Sequence, residues 1–291
     1  MTVTEAFEKF SKKISRPTQK EQDDASNRQN DIRSKMEEKF KKETSFLTGS
    51  YKRWTKTKPL KDVDIFYVLH ADERANYEFE PDQLLNDVRD HLVKKYPDKT
   101  VKKQRRSISI EFPTTAEEQV MSFDVVPVFT KGDNYKMPDT TVSGGWTDTN
   151  PKIHEEKALA KHRACDNNWR KLVRMIKTWN VAHSKPVKPS FLLEVMALEL
   201  LLEPFGGDLR REIQGYFASA ALRIHDVWPD PAELGSPVSD GMDAAGKNAA
   251  QKALEEADLK CAAAIRLESQ GKTGDALRIW QEVFGSQFPI S

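Results

Sequence analysis

Two aspartates, Asp62 and Asp64, open an apolar run, DVDIFYVL, at residues 62–69. The β-branched and aromatic content of that run predicts a strand. Residues two apart on a strand share a face, so two carboxylates stand side by side. Charges held that close repel unless a cation lies between them. Mg²⁺, a hard cation that takes oxygen ligands, answers that need. A third carboxylate, Asp124, lies inside VMSFDVVPVF at 120–129, which reads as another strand, one turn after SISIEF at 107–112. An aspartate among valines and phenylalanines is costly to bury unless it is paired or coordinated. Three carboxylates on neighbouring strands can hold two Mg²⁺ ions roughly 3.5–4 Å apart. The chain is therefore constrained to build a sheet with one acidic patch.

Upstream of the acidic strand stands a Gly-Ser pair, Gly49 and Ser50. Its backbone N–H groups and hydroxyl suit phosphate oxygens, and close approach to phosphate favours a residue without Cβ. The plain alternatives are a helix C-cap at Gly49, a turn cap at Ser50, and a charged strand entrance after a Pro59 turn for Asp62 and Asp64. Lys52, Arg53 and Thr55 either reach phosphates or form a solvated edge.

The 291 residues suffice for one large domain or two small ones. A net charge of +1 argues against a protein that coats nucleic acid, though a local basic groove stays open. The absence of a bilayer-length apolar run and of an apolar signal core points to the cytoplasm. Cys165 and Cys261 show no CxxC spacing and read as thiols in a reducing compartment. The basic run at 94–106 (KKYPDKTVKKQRR) is read as a solvated loop, with binding of DNA, RNA or a partner protein as the alternative.

Helices are expected at 4–15, about 20–45, 81–95 with Pro81 at the start, 154–182, 190–204, 207–226 and 243–284, the last broken near Gly271–Gly274. Residues 130–152, rich in Gly, Asp, Thr and Pro, are expected to form a loop or lid, and 228–242 a connector. Helices, then sheet, then helices is an α+β order. The expected domains are 1–150, with the N-terminal helices and the sheet, and 151–291, helical.

Gly-Ser, then Asp-x-Asp, then a later strand aspartate resembles the DNA polymerase β-like nucleotidyltransferase superfamily. GSYKRWTKTKPLKDVDIFYVL, SFDVVPVF, GWTDTNPKIH, RMIKTWN, PSFLLEVMALEL and IWQEVFGSQFP follow, in order, the bacterial cyclic-oligonucleotide synthases (CD-NTases) of anti-phage defence, relatives of cyclic GMP-AMP synthase and DncV. The resemblance implies a two-lobed α+β nucleotidyltransferase with a mixed sheet and a C-terminal helical domain. It implies a cyclic di- or trinucleotide made from NTPs, ATP among them, with release of pyrophosphate. Asp62, Asp64 and Asp124 would be the catalytic carboxylates and hold two Mg²⁺ ions, with Mn²⁺ as a substitute. Gly49 and Ser50 would bind the triphosphate. Lys177 and Ser190 match residues on the donor's phosphates, and Phe191 matches a base-stacking aromatic, which tolerates any base. The plain readings are a solvated helix lysine and a helix N-cap serine. Trp54 departs from the small residue the family places there. Trp146, Asn150 and His154 fall in the nucleotide lid or in a plain linker. His70, His91, His162, His183 and His225 read as structural. Some members rely on a HORMA-type partner and on DNA, and the diffusible product reaches a downstream effector. The alternatives are a linear, tailing nucleotidyltransferase, similar to oligoadenylate synthase or a CCA-adding enzyme, and a non-catalytic ligand-binding module.

Overall fold

The computed structural model describes residues 1–15, 18–57, 62–113 and 120–291. The turns expected at Pro59 and before residue 120 lie outside them. Two compact units are distinguished: Pro17–Trp54 with Pro59–Glu155, and Met1–Arg16 with Thr55–Lys58 and Glu156–Ser291. The first holds the sheet and the second is helical.

Helix α1 (Val3–Lys13) belongs to the helical unit, although the chain order suggested the sheet. Aromatic packing is the reason. Phe7 meets Trp280 edge-on at 4.8 Å between centroids, and Phe10 lies 4.8 Å from Phe284. The boundary expected after residue 150 falls after Glu155.

The sheet unit runs α2 (Gln19–Glu37), β1 (Lys42–Thr48), α3 (Gly49–Lys52), β2 (Asp62–Leu69), α4 (Arg74–Tyr77), α5 (Pro81–Lys95), β3 (Thr100–Lys103), β4 (Ile108–Pro113), β5 (Val120–Lys131), β6 (Asn134–Pro138) and β7 (Trp146–Thr149). The strand order is β1-β2-β5-β4-β3, with β6 on β5 and β7 on β6. β2 and β5 run parallel, and the other pairs are antiparallel. Alternation gives each face its own core. Val63, Ile65, Tyr67, Phe123 and Val125 cluster with Ile32 and Met36 of α2 and Leu84, Val88 and Leu92 of α5. On the opposite parity Phe66, Val68, Val126 and Val128 cluster with Tyr135 and Met137. Asp62, Asp64 and Asp124 have this second parity, away from α2 and α5.

The helix expected over 20–45 ends at Glu37, and β1 follows. Its register on β2 pairs Phe46 with Phe66 and Thr48 with Asp64. The stretch 130–152 is mostly a β6–β7 hairpin, not an open loop. The basic run contains β3, and most of its charges are paired: Lys102 with Glu111, Lys103 with Asp82, Lys95 with Glu38. Its last two residues grip a buried carboxylate. Arg105 donates to both oxygens of Asp139 at 2.7 and 2.8 Å, and Arg106 Nε donates at 2.7 Å. The Thr141 N–H and hydroxyl add bonds of 3.0 and 2.8 Å. Burial alone would raise the Asp139 pKa, but these donors together outweigh it and hold the carboxyl well below the usual range.

The helical unit adds most of α6 (Pro151–Ala164), α7 (Trp169–Ala182), α8 (Ser190–Leu200), α9 (Leu209–Arg223), α10 (Ala244–Ser269) and α11 (Thr273–Phe284). The helix expected over 154–182 is divided because Asp166 and Asn167 take left-handed φ values of 48° and 61°, a conformation these two residue types accept more readily than most. The break expected near Gly271 is present. Trp169, Trp179, Tyr216, Phe217 and Trp280 fill the core. Among the described residues no helix is long and apolar enough to cross a membrane.

Candidate active site

The parallel register of β2 and β5 places Asp62 opposite Ser122 and Asp64 opposite Asp124. Partners in a ladder share a face, so all three aspartates occupy one patch at the start of these strands. Asp62 is exposed, and Asp64 and Asp124 are half-buried. The Ser122 hydroxyl donates to Asp62 at 3.0 Å. The row through Asp64 and Asp124 extends to Thr48 on β1 and to the buried Ser109 on β4. Ser109 and Ser122 were not singled out from sequence; alternation within SISIEF and VMSFDV puts both on this face.

Gly49 closes one side of the patch. It has φ of 69° and starts α3, so it is a strand-to-helix junction and not a helix C-cap. A Cβ built on it would lie 1.7 Å from Asp64 Oδ2 and 2.6 Å from its Cγ. The missing side chain is what admits the Asp64 carboxylate against this backbone. Ser50 follows, half-buried. Arg53 is buried, and Trp54 is partly exposed with left-handed φ of 61°.

Among the described residues no three His, Cys, Asp or Glu side chains are gathered into a ligating cluster. The backbone nevertheless satisfies the requirement for hard-cation binding: three oxygen donors on one face of two adjacent strands, beside a glycine that leaves room for one of them. The residues fit Mg²⁺ by donor type and by the strand face they share.

In the helical unit, Lys177 of α7 is buried, not solvated, and pairs with Glu194 of α8. The Thr55 hydroxyl donates to the other Glu194 oxygen at 2.8 Å. Ser190 is the first residue of α8 and is exposed; the N-cap is Pro189, so the expected N-cap serine is displaced by one. Phe191 is half-buried. Sequence reasoning missed Glu194, whose signal is an acid four residues after Ser190, flanked by Leu192, Leu193, Val195 and Met196.

Two of the residues read as lid or linker positions make hydrogen bonds within the sheet unit. Trp146 Nε1 donates to the Glu78 carbonyl at 2.9 Å. Asn150 Nδ2 donates to the Asp133 carbonyl and Asn134 Oδ1, each at 3.0 Å. His154 lies on α6. Two of the histidines read as structural hold backbone carbonyls: His91 Nε2 sits 2.7 Å from that of Lys35 and His183 Nε2 3.0 Å from that of Val283. His225 bonds Gln251, and His70 lies beside Asp72. His162 differs. Burial first, then the charges of Arg170 and Arg174, push its pKa down to about 4, so it is neutral at pH 7.

The family described as the Second Messenger Oligonucleotide or Dinucleotide Synthetase domain matches residues 1–161. A Bacillus cereus (strain VD146) protein named a probable cyclic nucleotide synthase is 30% identical over 275 residues, covering 83% of this chain and 81% of its own. The CBASS oligonucleotide cyclase CdnC of Escherichia coli (strain KTE188) is 23% identical over 246 residues, 79% of this chain and 76% of its own. Among solved structures, E. coli MS115-1 CdnC with ATP aligns at a TM-score of 0.72 with 20% identity, covering 98% of each chain. Vibrio cholerae DncV with the linear intermediate pppA(3′,5′)pG aligns at 0.68 with 16% identity, over 84% of this chain and 69% of its own. The carboxylate row and the glycine junction thus sit on a fold shared with CdnC and DncV, and the chain belongs to the Second Messenger Oligonucleotide or Dinucleotide Synthetase family.

Proposed function

We propose that Asp62, Asp64 and Asp124 are the catalytic carboxylates and that they hold Mg²⁺, with ATP among the NTPs used. The observation that supports this reading is the row in which Asp64 and Asp124 stand side by side, with Gly49 against the Asp64 carboxylate. The cation, when bound, neutralises charge on the triphosphate and acidifies the attacking hydroxyl. Gly49 lets backbone approach the triphosphate, and Ser50 supplies a hydroxyl to it. Lys177 and Ser190 contact the donor's outer phosphates, and Phe191 stacks on its base. Asp124 accepts the proton of the ribose hydroxyl. That oxygen bonds to the α-phosphorus, the bond from this phosphorus to the bridging oxygen breaks, and pyrophosphate leaves. A second such step within the rebound linear intermediate closes the ring. Positioning and charge neutralisation supply most of the acceleration. The cytoplasm supplies the NTPs. One similar structure is a CdnC:HORMA complex (TM-score 0.71, 20% identity), and we extend a HORMA-type partner to this chain.

The test is incubation with each NTP alone and in pairs with Mg²⁺ or Mn²⁺, then phosphatase and mass spectrometry. Cyclic, phosphatase-resistant product containing adenosine is expected from the wild type, and none from Asp64→Ala or Asp124→Asn at an unchanged melting midpoint. Linear chains alone, or near-normal synthesis by either variant, refute the reading.

A further inference from the structure

A buried acid beside a lysine assigned to phosphate is electrostatically out of place. Glu194 is 2% exposed, Lys177 7% and Thr55 0%. The rest of the first turns of α8 is apolar: Leu192, Leu193, Val195, Met196 and Ala197 are all buried. A carboxylate here opposes any polyanion nearby, and a buried ion pair adds little net stability over a well-packed apolar pair. Its presence calls for another account.

Geometry supplies one. Glu194 stands four residues after Ser190 and three after Phe191, so the three side chains share a stripe of α8. One carboxylate oxygen takes the Lys177 ammonium and the other takes the Thr55 hydroxyl. A lysine is a compact charge on a flexible four-carbon stem. Anchoring one of its three N–H donors removes most of that freedom while the ammonium can still serve a phosphate oxygen. The Thr55 bond in turn fixes the plane of the carboxylate. Thr55 lies five residues after Ser50 in the sequence, within the stretch that carries the proposed triphosphate contacts.

We infer that Glu194 is a positioning residue for NTP turnover: it aims the Lys177 ammonium, and Thr55 aims Glu194. This rests on the reading of Lys177 as a phosphate contact. Loss of the aim lowers kcat. Loss of the opposing negative charge favours the triphosphate, so KM stays level or falls. A purely structural role would instead raise KM and lower the melting midpoint.

The experiment compares Lys177→Met, Glu194→Gln and the double variant in steady-state product formation, with affinity measured for a non-hydrolysable ATP analogue. We expect Glu194→Gln to lose at least tenfold in kcat with KM no more than about threefold higher, since a misplacement of about 1 Å can cost 10²-fold. We expect no further loss when Glu194→Gln is added to Lys177→Met. A folded Glu194→Gln enzyme within twofold of wild-type kcat, or fully additive losses, overturns the inference. Should Lys177→Met keep its affinity for the analogue, the phosphate reading of Lys177 fails and this inference with it. Weakened affinity in Lys177→Met beside a normal Glu194→Gln sinks the positioning role alone. If Glu194→Gln does not fold, Thr55→Val decides: a three- to tenfold fall in kcat that vanishes in the Lys177→Met background supports the inference, and wild-type turnover overturns it.

Discussion

Replacing Gly49 with alanine adds one methyl group where the structure has no room for it. The new Cβ would sit 1.7 Å from Asp64 Oδ2, whereas real Cβ contacts essentially never fall below 3.0 Å, so the carboxylate must retreat by more than about 1.3 Å. The clash is with the end of a side chain, so Asp64 relieves it by turning away from the row. Backbone strain adds to this. At φ of 69° an alanine costs about 1–2 kcal/mol, offset in part by the roughly 0.4–1 kcal/mol gained from a stiffer unfolded chain. The net loss of stability is about 1 kcal/mol, a fall of roughly 2–4 °C in melting midpoint. With Asp64 in its proposed metal-holding role, the loss of activity is far larger, about 100-fold, because that carboxylate is moved by more than an ångström. Gly132→Ala is the control: its φ is 57°, but nothing lies within 4 Å of its added Cβ. It carries the same backbone strain without displacing Asp64. Melting curves and product formation with Mg²⁺ read both quantities. If Gly49→Ala retains activity within threefold of Gly132→Ala, the argument that Gly49 makes room for a catalytic Asp64 is wrong.

Phe191→Ala removes the stacking face and is expected to raise the apparent KM for the NTP about tenfold, with less effect on kcat; an unchanged KM counts against the stacking role. Asp139→Asn leaves Arg105 and Arg106 without their buried anion and is expected to cost about 2–4 kcal/mol in urea unfolding at pH 7. Because the folded pKa of Asp139 is lowered, its stabilisation is whole above its unfolded value near 4 and is lost as pH falls through the folded value. His162 is also held neutral, with a folded pKa of about 4 against an ordinary 6.5, so the folded state binds fewer protons between those values. Stability should therefore decline as pH falls from 6.5 to 4, by on the order of 2 kcal/mol, and His162→Gln should flatten that slope in pH-dependent unfolding; an unchanged slope refutes the assignment.

The acidic patch was legible because carboxylates in apolar strand runs are rare and period two fixes their face. The strands that carry it read well for the same reason: DVDIFYVL and VMSFDVVPVF have more apolar drive than their polar residues can disguise. β1 did not, since Lys42, Glu43, Thr44 and Ser45 give no alternation and the stripe Ile32, Met36, Phe40 invites a longer helix; Phe40 is indeed buried, but past the helix end. The β6–β7 hairpin was hidden by its Gly, Asp and Thr content, and its pairing is set by β5, not by local preference. The place of α1 was illegible because Trp280, Phe284 and Phe288 lie some 270 residues away in the chain. Glu194 escaped notice since glutamate is a good helix former; its meaning comes from Thr55 and Lys177, which only tertiary structure brings to it.

The pairing of β2 with β5 is the one parallel contact in the sheet among the described residues, and it joins segments 60 residues apart, with α5, β3 and β4 threaded between. Non-local parallel pairing is slow to form, because chain entropy must be surrendered before the contacts repay it. A ribosome-bound chain that stops short of residue 120 holds Asp62 and Asp64 but lacks their third companion. If the three aspartates act as proposed, half-made protein is silent: the enzyme cannot make its messenger until synthesis has passed β5 and the last acidic group has been stitched into place.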